Sequence, residues 1–175
     1  MIILAIILAI IAIPFIVAIF KPEEYVIERE IVIKRPKADV FNYVKLLKNQ
    51  DHYSKWVMTD PSMKKSFTGT DGTVGFIYAW DSENKQAGKG EQEIIKLTGD
   101  DRADMEVRFE KPFVGIAHPS VVTEALSATE TKVKWIFKGT CTYMMRVMHI
   151  ILNLKKVLGK DMQTSLVTLK NNLEK

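Results

Sequence analysis

Three histidines (His52, His118, His149) and one cysteine (Cys141) are the residues of this 175-residue chain best suited to metal binding or nucleophilic attack. Their spacing supports neither. No histidine stands in an HExxH or similar ligand pattern, and no CxxC or Cys/His cluster offers a zinc site. A single cysteine excludes an intramolecular disulfide. With no histidine near it in sequence to suggest a thiolate pair, Cys141 reads as a small apolar filler. No GxSxG elbow is present. Gly88-Lys89-Gly90-Glu91 is not a phosphate loop, because it lacks the GxxxxGK[ST] spacing and leads into a strand. Asp51 and His52 are neighbours and do not face each other on a helix, so they read as cap and surface. What remains for moving protons beside a carbonyl is Arg29, Glu91, Glu93, Glu124 and His118. Strand-end placement could expose each of them to solvent. The sequence therefore assigns no catalytic residue, no metal and no cofactor.

Such side chains must be positioned by a scaffold, and the middle of the chain reads as short strands broken by turns. Residues 25–34 alternate, with Ile27, Ile31 and Ile33 on one face and Arg29 interrupting it. Pro36 stops that strand. A helix over 37–47 carries Val40, Phe41, Val44 and Leu47 on one side. A second short helix, capped by Asn49 or Asp51, runs to about Trp56. Strands follow over 63–68, 73–80, 88–97, 102–110, 115–128 and 132–139, with Lys111-Pro112-Phe113 ending the fourth of these. In 73–80, Val74, Phe76, Tyr78 and Trp80 share a face opposite Gly75, Ile77 and Ala79. That face suits either a roomy concavity or a packed core. Gly88 and Gly90 mark a bulge or bend that curves the sheet.

At the C-terminus, apolar residues recur at Met144, Met148, Ile151, Leu154, Leu158, Met162, Leu166, Leu169 and Leu173, close to the α-helical period. Beyond Lys160 this stripe is narrow, as for a helix gripped by a sheet. Before Gly159 it widens. Gly159 is thus the expected break, with the first half acting as a lid over a cavity or resting on a membrane surface.

Residues 1–20 contain no charge and match the thickness of a hydrocarbon core, so they are expected to be an uncleaved transmembrane anchor. Residues 21–24 form a linker and 25–175 the folded domain. Lys21, Arg29, Lys34, Arg35 and Lys37 follow the segment, which places the domain on the cytoplasmic side of a single-pass membrane protein. Net charge is +4, and residues 132–175 hold nine Lys or Arg against Asp161 and Glu174. The lysines at 132, 134 and 138 lack the interleaved aromatic platform of a nucleic-acid site. They suit a solvated face or one turned to anionic lipid.

The order β-αα-β6-α, with Pro36, Val40-Phe41, Trp56, Gly72 and Gly75, Trp80, and Gly88-Lys89-Gly90-Glu91, resembles the helix-grip fold of the START/SRPBCC superfamily. Thr131-Lys132-Val133-Lys134-Trp135, Leu166 and Leu169-Lys170 complete the resemblance, which is nearest the polyketide cyclase/dehydrase-like branch. It covers residues 25–175. It implies an α+β domain in which a curved seven-stranded antiparallel sheet wraps a long C-terminal helix and encloses a hydrophobic cavity. It also implies binding of a lipid or other apolar small molecule. The residues expected to line the cavity are Trp56, Phe76, Tyr78, Trp80, Val133, Trp135, Phe137, Met162 and Leu166. The alternative is a cyclase or dehydratase acting on a lipophilic carbonyl compound in the same space.

Overall fold

The computed structural model describes residues 2–112 and 114–175, with backbone alone for residues 2–9. Met1 and Phe113 lie outside the described residues. The alternating segments form β1 (Glu24–Ile33), β2 (Lys64–Thr68), β3 (Ile77–Asp81), β4 (Lys89–Thr98), β5 (Arg102–Lys111), β6 (Gly115–Ala125) and β7 (Thr131–Thr140). They make one antiparallel sheet in the order β1-β7-β6-β5-β4-β3-β2. Sequential strands are therefore neighbours, except that the last strand returns to pair with the first, as in Ile31 opposite Val133.

The expected strand over 73–80 is shorter than its pattern. The regular ladder starts at Ile77, although the Gly75 amide still donates to Ile94 O and Phe76 O accepts from the Ile94 amide, and Gly75 takes a positive φ of 88° that a strand does not use. Val74 consequently points to solvent, 59% exposed, while Phe76 and Tyr78 are buried. The bend expected at Gly88–Gly90 is present as a register shift between Lys89 and Gly90, with a second between Ile94 and Lys96. Gly90 is held to glycine because a Cβ there would press on the Arg108 carbonyl and the Trp80 ring. The β5–β6 ladder is interrupted opposite His118-Pro119, where proline lacks a donor.

Two short helices and a 3-10 turn close one end of the sheet: α2 (Lys37–Val44), the turn Leu47–His52, and α3 (Lys55–Met58). Neither Asn49 nor Asp51 provides the expected cap. The Asp71 carboxylate, reaching across from the β2–β3 loop, accepts from the Leu47 and Lys48 amides at 2.8 and 3.2 Å. Asp51 instead accepts from the Tyr78 hydroxyl at 2.8 Å and pairs with Lys65 at 2.9 Å.

The C-terminal stretch is two helices, α4 (Tyr143–Leu152) and α5 (Leu154–Leu173). The expected break at Gly159 is wrong: α5 runs through it. The break is Asn153, at φ 47°, a left-handed position that asparagine tolerates. Gly159 has another role. The Arg29 guanidinium lies against it so closely that any Cβ would overlap Nη2. Met162, Leu166 and Leu169 are buried against the sheet, in one core with Ile33, Val40, Phe41, Phe76, Ile94 and Val133. Lys55 N donates to Ser165 Oγ at 2.8 Å, fastening α3 to α5. Arg35 donates to the Leu173 and Lys175 carbonyls, and Lys170 Nζ donates to Val32 O, tying the helix end to β1.

The membrane expectation is corrected. Among the described residues no helix is long and apolar enough to cross a membrane. The first helix, α1 (Ile2–Ile19), has 18 residues. Its last turns lie against α4, where Tyr143 Oη donates to Phe15 O at 2.9 Å and Arg146 Nη1 to Lys21 O at 2.8 Å. The single-pass placement with a cytoplasmic domain falls with the span on which it rested.

Candidate functional site

A cavity of about 170 Å³ opens between the concave face of the sheet, α3 and the first turns of α5. Alternation explains its wall. On β7, Val133, Trp135 and Phe137 face inward, and on β4 and β5 so do Gln92, Val107 and Phe109. Of the residues expected from sequence, Trp56, Tyr78, Trp80, Trp135 and Phe137 line it. Phe76, Val133, Met162 and Leu166 do not. They are fully buried and belong to the packed core. Leu158, one turn before Met162, is the α5 residue in the wall. The wall also takes in Gln50, Ser54, Val57, Met63, Gln86, Ala87, Gln92, Val107, Phe109 and Pro119. Gln92 lies on the alternating face of β4 and was readable by parity; Gln50, Ser54 and Val57, around the expected Trp56, were not.

The aromatic rings interlock. Trp56 and Trp135 meet edge to face at 5.7 Å, and Trp80 meets Phe109 at 6.2 Å. Trp80 Nε1 donates to Ala87 O at 3.0 Å, closing the rim over the β3–β4 turn. The Tyr78 phenol is pushed up from its ordinary pKa by burial and by the Asp51 carboxylate that accepts its hydrogen bond. Tyr78 is therefore a neutral donor at neutral pH, already engaged. Gln92 Nε2 is directed at the Met105 thioether, 3.0 Å away, a weak acceptor. Trp135 Nε1 is buried with no partner.

The proton-transfer candidates are elsewhere. Glu91 and Glu93 sit on the outer face, bound to Arg108 at 2.6 and 2.8 Å, and Glu106 joins them at 2.6 Å. These carboxylates hold the Arg108 guanidinium well above its usual range. His118 is exposed beside Glu106, and Glu124 pairs with Lys132 at 2.6 Å. Arg29 is on the inner face but rests on Gly159, donating to Glu28 O, and does not enter the wall. Among the described residues no cluster of three His, Cys, Asp or Glu could hold a metal.

A second cavity of about 150 Å³ lies under α4, lined by Tyr25, Phe109, Gly115, Thr140 and Met145 among others. The lid expected in the first half of the C-terminal stretch is not over the main cavity: α4 leans on α1 and reaches only this second space.

No protein-family model and no curated protein sequence matches the chain. Solved structures do. A protein from Chromobacterium violaceum superposes with a TM-score of 0.60 at 14% identity, over 89% of this chain and 99% of that one. Norcoclaurine synthase from Thalictrum flavum, in complex with dopamine and hydroxybenzaldehyde, gives 0.59 at 13% identity, covering 84% and 87%. The Aha1 dimer from Colwellia psychrerythraea gives 0.58 at 15%, covering 86% and 96%. The fold is the helix grip. At these identities the likeness speaks for the fold alone.

Proposed function

We propose that residues 25–175 form a binding module for a small, ring-containing, largely apolar molecule held between the sheet and α5. One observation carries this reading. Six aromatic side chains line the cavity, and no Asp, Glu, His, Lys or Arg is among its lining residues. Binding sites are concave and mostly apolar, with a few placed polar groups. The volume of about 170 Å³ is close to the ~150 Å³ of an engineered cavity that accepts benzene. This favours one or two rings over a sterol or a full acyl chain. A bound aromatic aldehyde in a protein of the same fold is consistent with it.

The competing reading is a cyclase-like enzyme acting on a lipophilic carbonyl compound. The Tyr78–Asp51 pair is the observation in its favour. That pair offers a neutral donor but no base in the wall, so binding is the better-supported function. Ligand-observed NMR with single-ring aromatic compounds tests the proposal. Leu158→Trp, which fills the cavity from the α5 side, is expected to weaken every hit by at least about tenfold. Hits indifferent to Leu158→Trp would place binding outside this cavity and sink the reading.

A further inference from the structure

Phe109 borders both cavities, and among the described residues no other is common to the two walls. Alternation places its ring on the inner face of β5, with Met105 and Val107. Its cross-strand neighbours on that face are both glycines, Gly90 on β4 and Gly115 on β6. The ring therefore has no side chain directly opposite it on either strand. Over Gly90 the space is taken by the Trp80 indole, 3.0 Å from where a Cβ would stand, and Trp80 meets Phe109 edge to face at 6.2 Å. Over Gly115 a Cβ would meet nothing within 4 Å, and Gly115 lines the second cavity. Phe109 thus stands between a filled flank and an empty one. We infer that the two cavities are chambers of one elongated site divided by the Phe109 ring, and that Phe109 sets the length of ligand accepted. With the ring in place a compact molecule occupies the first chamber; with it truncated the site takes an elongated one that carries a second ring across the divide. The inference rests on the binding reading above and names its specificity-determining residue.

The second chamber suits an apolar extension. Its volume of about 150 Å³ is close to the first chamber's 170 Å³, and a cavity of about this size admits one benzene ring. No charged side chain is among its lining residues, so an uncharged, apolar group is the class it takes. The aromatic lining also continues from one chamber to the next. Phe137 belongs to the first wall and Tyr25 to the second, with ring centroids 6.3 Å apart. The Tyr25 ring lies across Gly139, where any Cβ would press into it, so glycine at that position keeps room for the ring.

Methionine methyl NMR on the full chain tests this, because Met63 borders the first chamber and Met145 the second. Each resonance is assigned by its loss in Met63→Leu or Met145→Leu. The probes are toluene and 1,2-diphenylethane, two rings joined by a two-carbon bridge. Toluene should shift the Met63 methyl in the unaltered protein. 1,2-Diphenylethane should bind Phe109→Ala at least about tenfold more tightly than the unaltered protein, since a second ring is then buried. In that variant it should shift both methyls, while toluene affinity changes less than about threefold. Phe109→Leu, a smaller truncation, should give an intermediate gain, and it carries the test where Phe109→Ala does not fold. No gain for 1,2-diphenylethane in these variants, or a gain with Met145 unmoved, would show that the chambers do not join at Phe109. Equally tight binding to the unaltered protein, with both methyls moving, would show that Phe109 sets no limit on length. Either result overturns the inference, and a toluene shift at Met63 leaves the binding reading standing. If toluene leaves Met63 unmoved, the binding reading fails and the inference with it.

Discussion

Cys141 shows how about two helical turns can join residues that look unrelated in sequence. The last turn of α4 brings His149 Nε2 to 3.5 Å from its sulfur, a neighbour that the sequence reading did not foresee. The pair is nonetheless not a nucleophile and base. Burial pushes the thiol above its ordinary pKa and His149 below its own, and it raises the adjoining Tyr25 phenol to about 12. Both partners are neutral at pH 7, and the thiolate is the reactive form. Iodoacetamide at pH 8 is therefore expected to modify Cys141 at least about tenfold more slowly than a free cysteine of pKa ~8.5, with the difference vanishing in denaturant. A folded-state rate equal to that of free cysteine would contradict this environment. The lowered His149 pKa also has a sign. The folded state binds that proton less readily than the unfolded chain, so the contribution to stability is present above the ordinary histidine pKa and is lost as pH falls through the folded value.

The helix pair α4–α5 depends on a single backbone conformation. Asn153 at φ 47° ends α4 and starts α5, turning an otherwise continuous apolar stripe so that α4 faces α1 and α5 faces the sheet. Asparagine and glycine reach this region cheaply, whereas a β-branched residue does not. Asn153→Val is expected to cost about 1–3 kcal/mol, and Asn153→Gly well under 1. Urea unfolding of the two variants side by side checks this; equal stabilities would mean that α4 and α5 can join as one helix without loss. The periodicity of the stripe showed that a helix was there. It did not show where the helix breaks, because asparagine in a helical pattern carries a weaker signal than Gly159.

In the assembled domain, Gly159 couples the helix to the sheet. Glycine inside a helix costs about 1 kcal/mol relative to alanine, yet here it admits the Arg29 side chain from β1. A double-mutant cycle isolates that contact. Gly159→Ala should stabilise the Arg29→Ala background by about 1 kcal/mol and bring no gain to the unaltered chain. Equal effects in both backgrounds would show that Arg29 moves aside freely. The same seam separates two regimes of the interior. Beyond it Met162, Leu166 and Leu169 fill the space against the sheet, and before it Leu158 borders the cavity.

Much of the fold was legible in the residues. Strand alternation, the turn at Gly88–Gly90, the Pro36 stop and the C-terminal stripe led to the seven-stranded helix grip, because burial on one face imposes a period that survives in sequence. Tyr78, Trp80, Trp135 and Phe137 are in the cavity wall for the same reason, and Trp56 joins them from α3. What the tertiary structure alone decided depends on contacts between residues far apart in the chain. Phe76, Val133, Met162 and Leu166 carry the same pattern as the wall residues, and only the three-dimensional packing makes them core. Asp71 capping a turn 24 residues away, Arg29 resting on Gly159, and the orphan N–H of Trp135 leave no local mark. Apolar composition likewise suggested a span at residues 1–20. The seat of the first helix on α4 is a tertiary contact, which hydropathy does not encode.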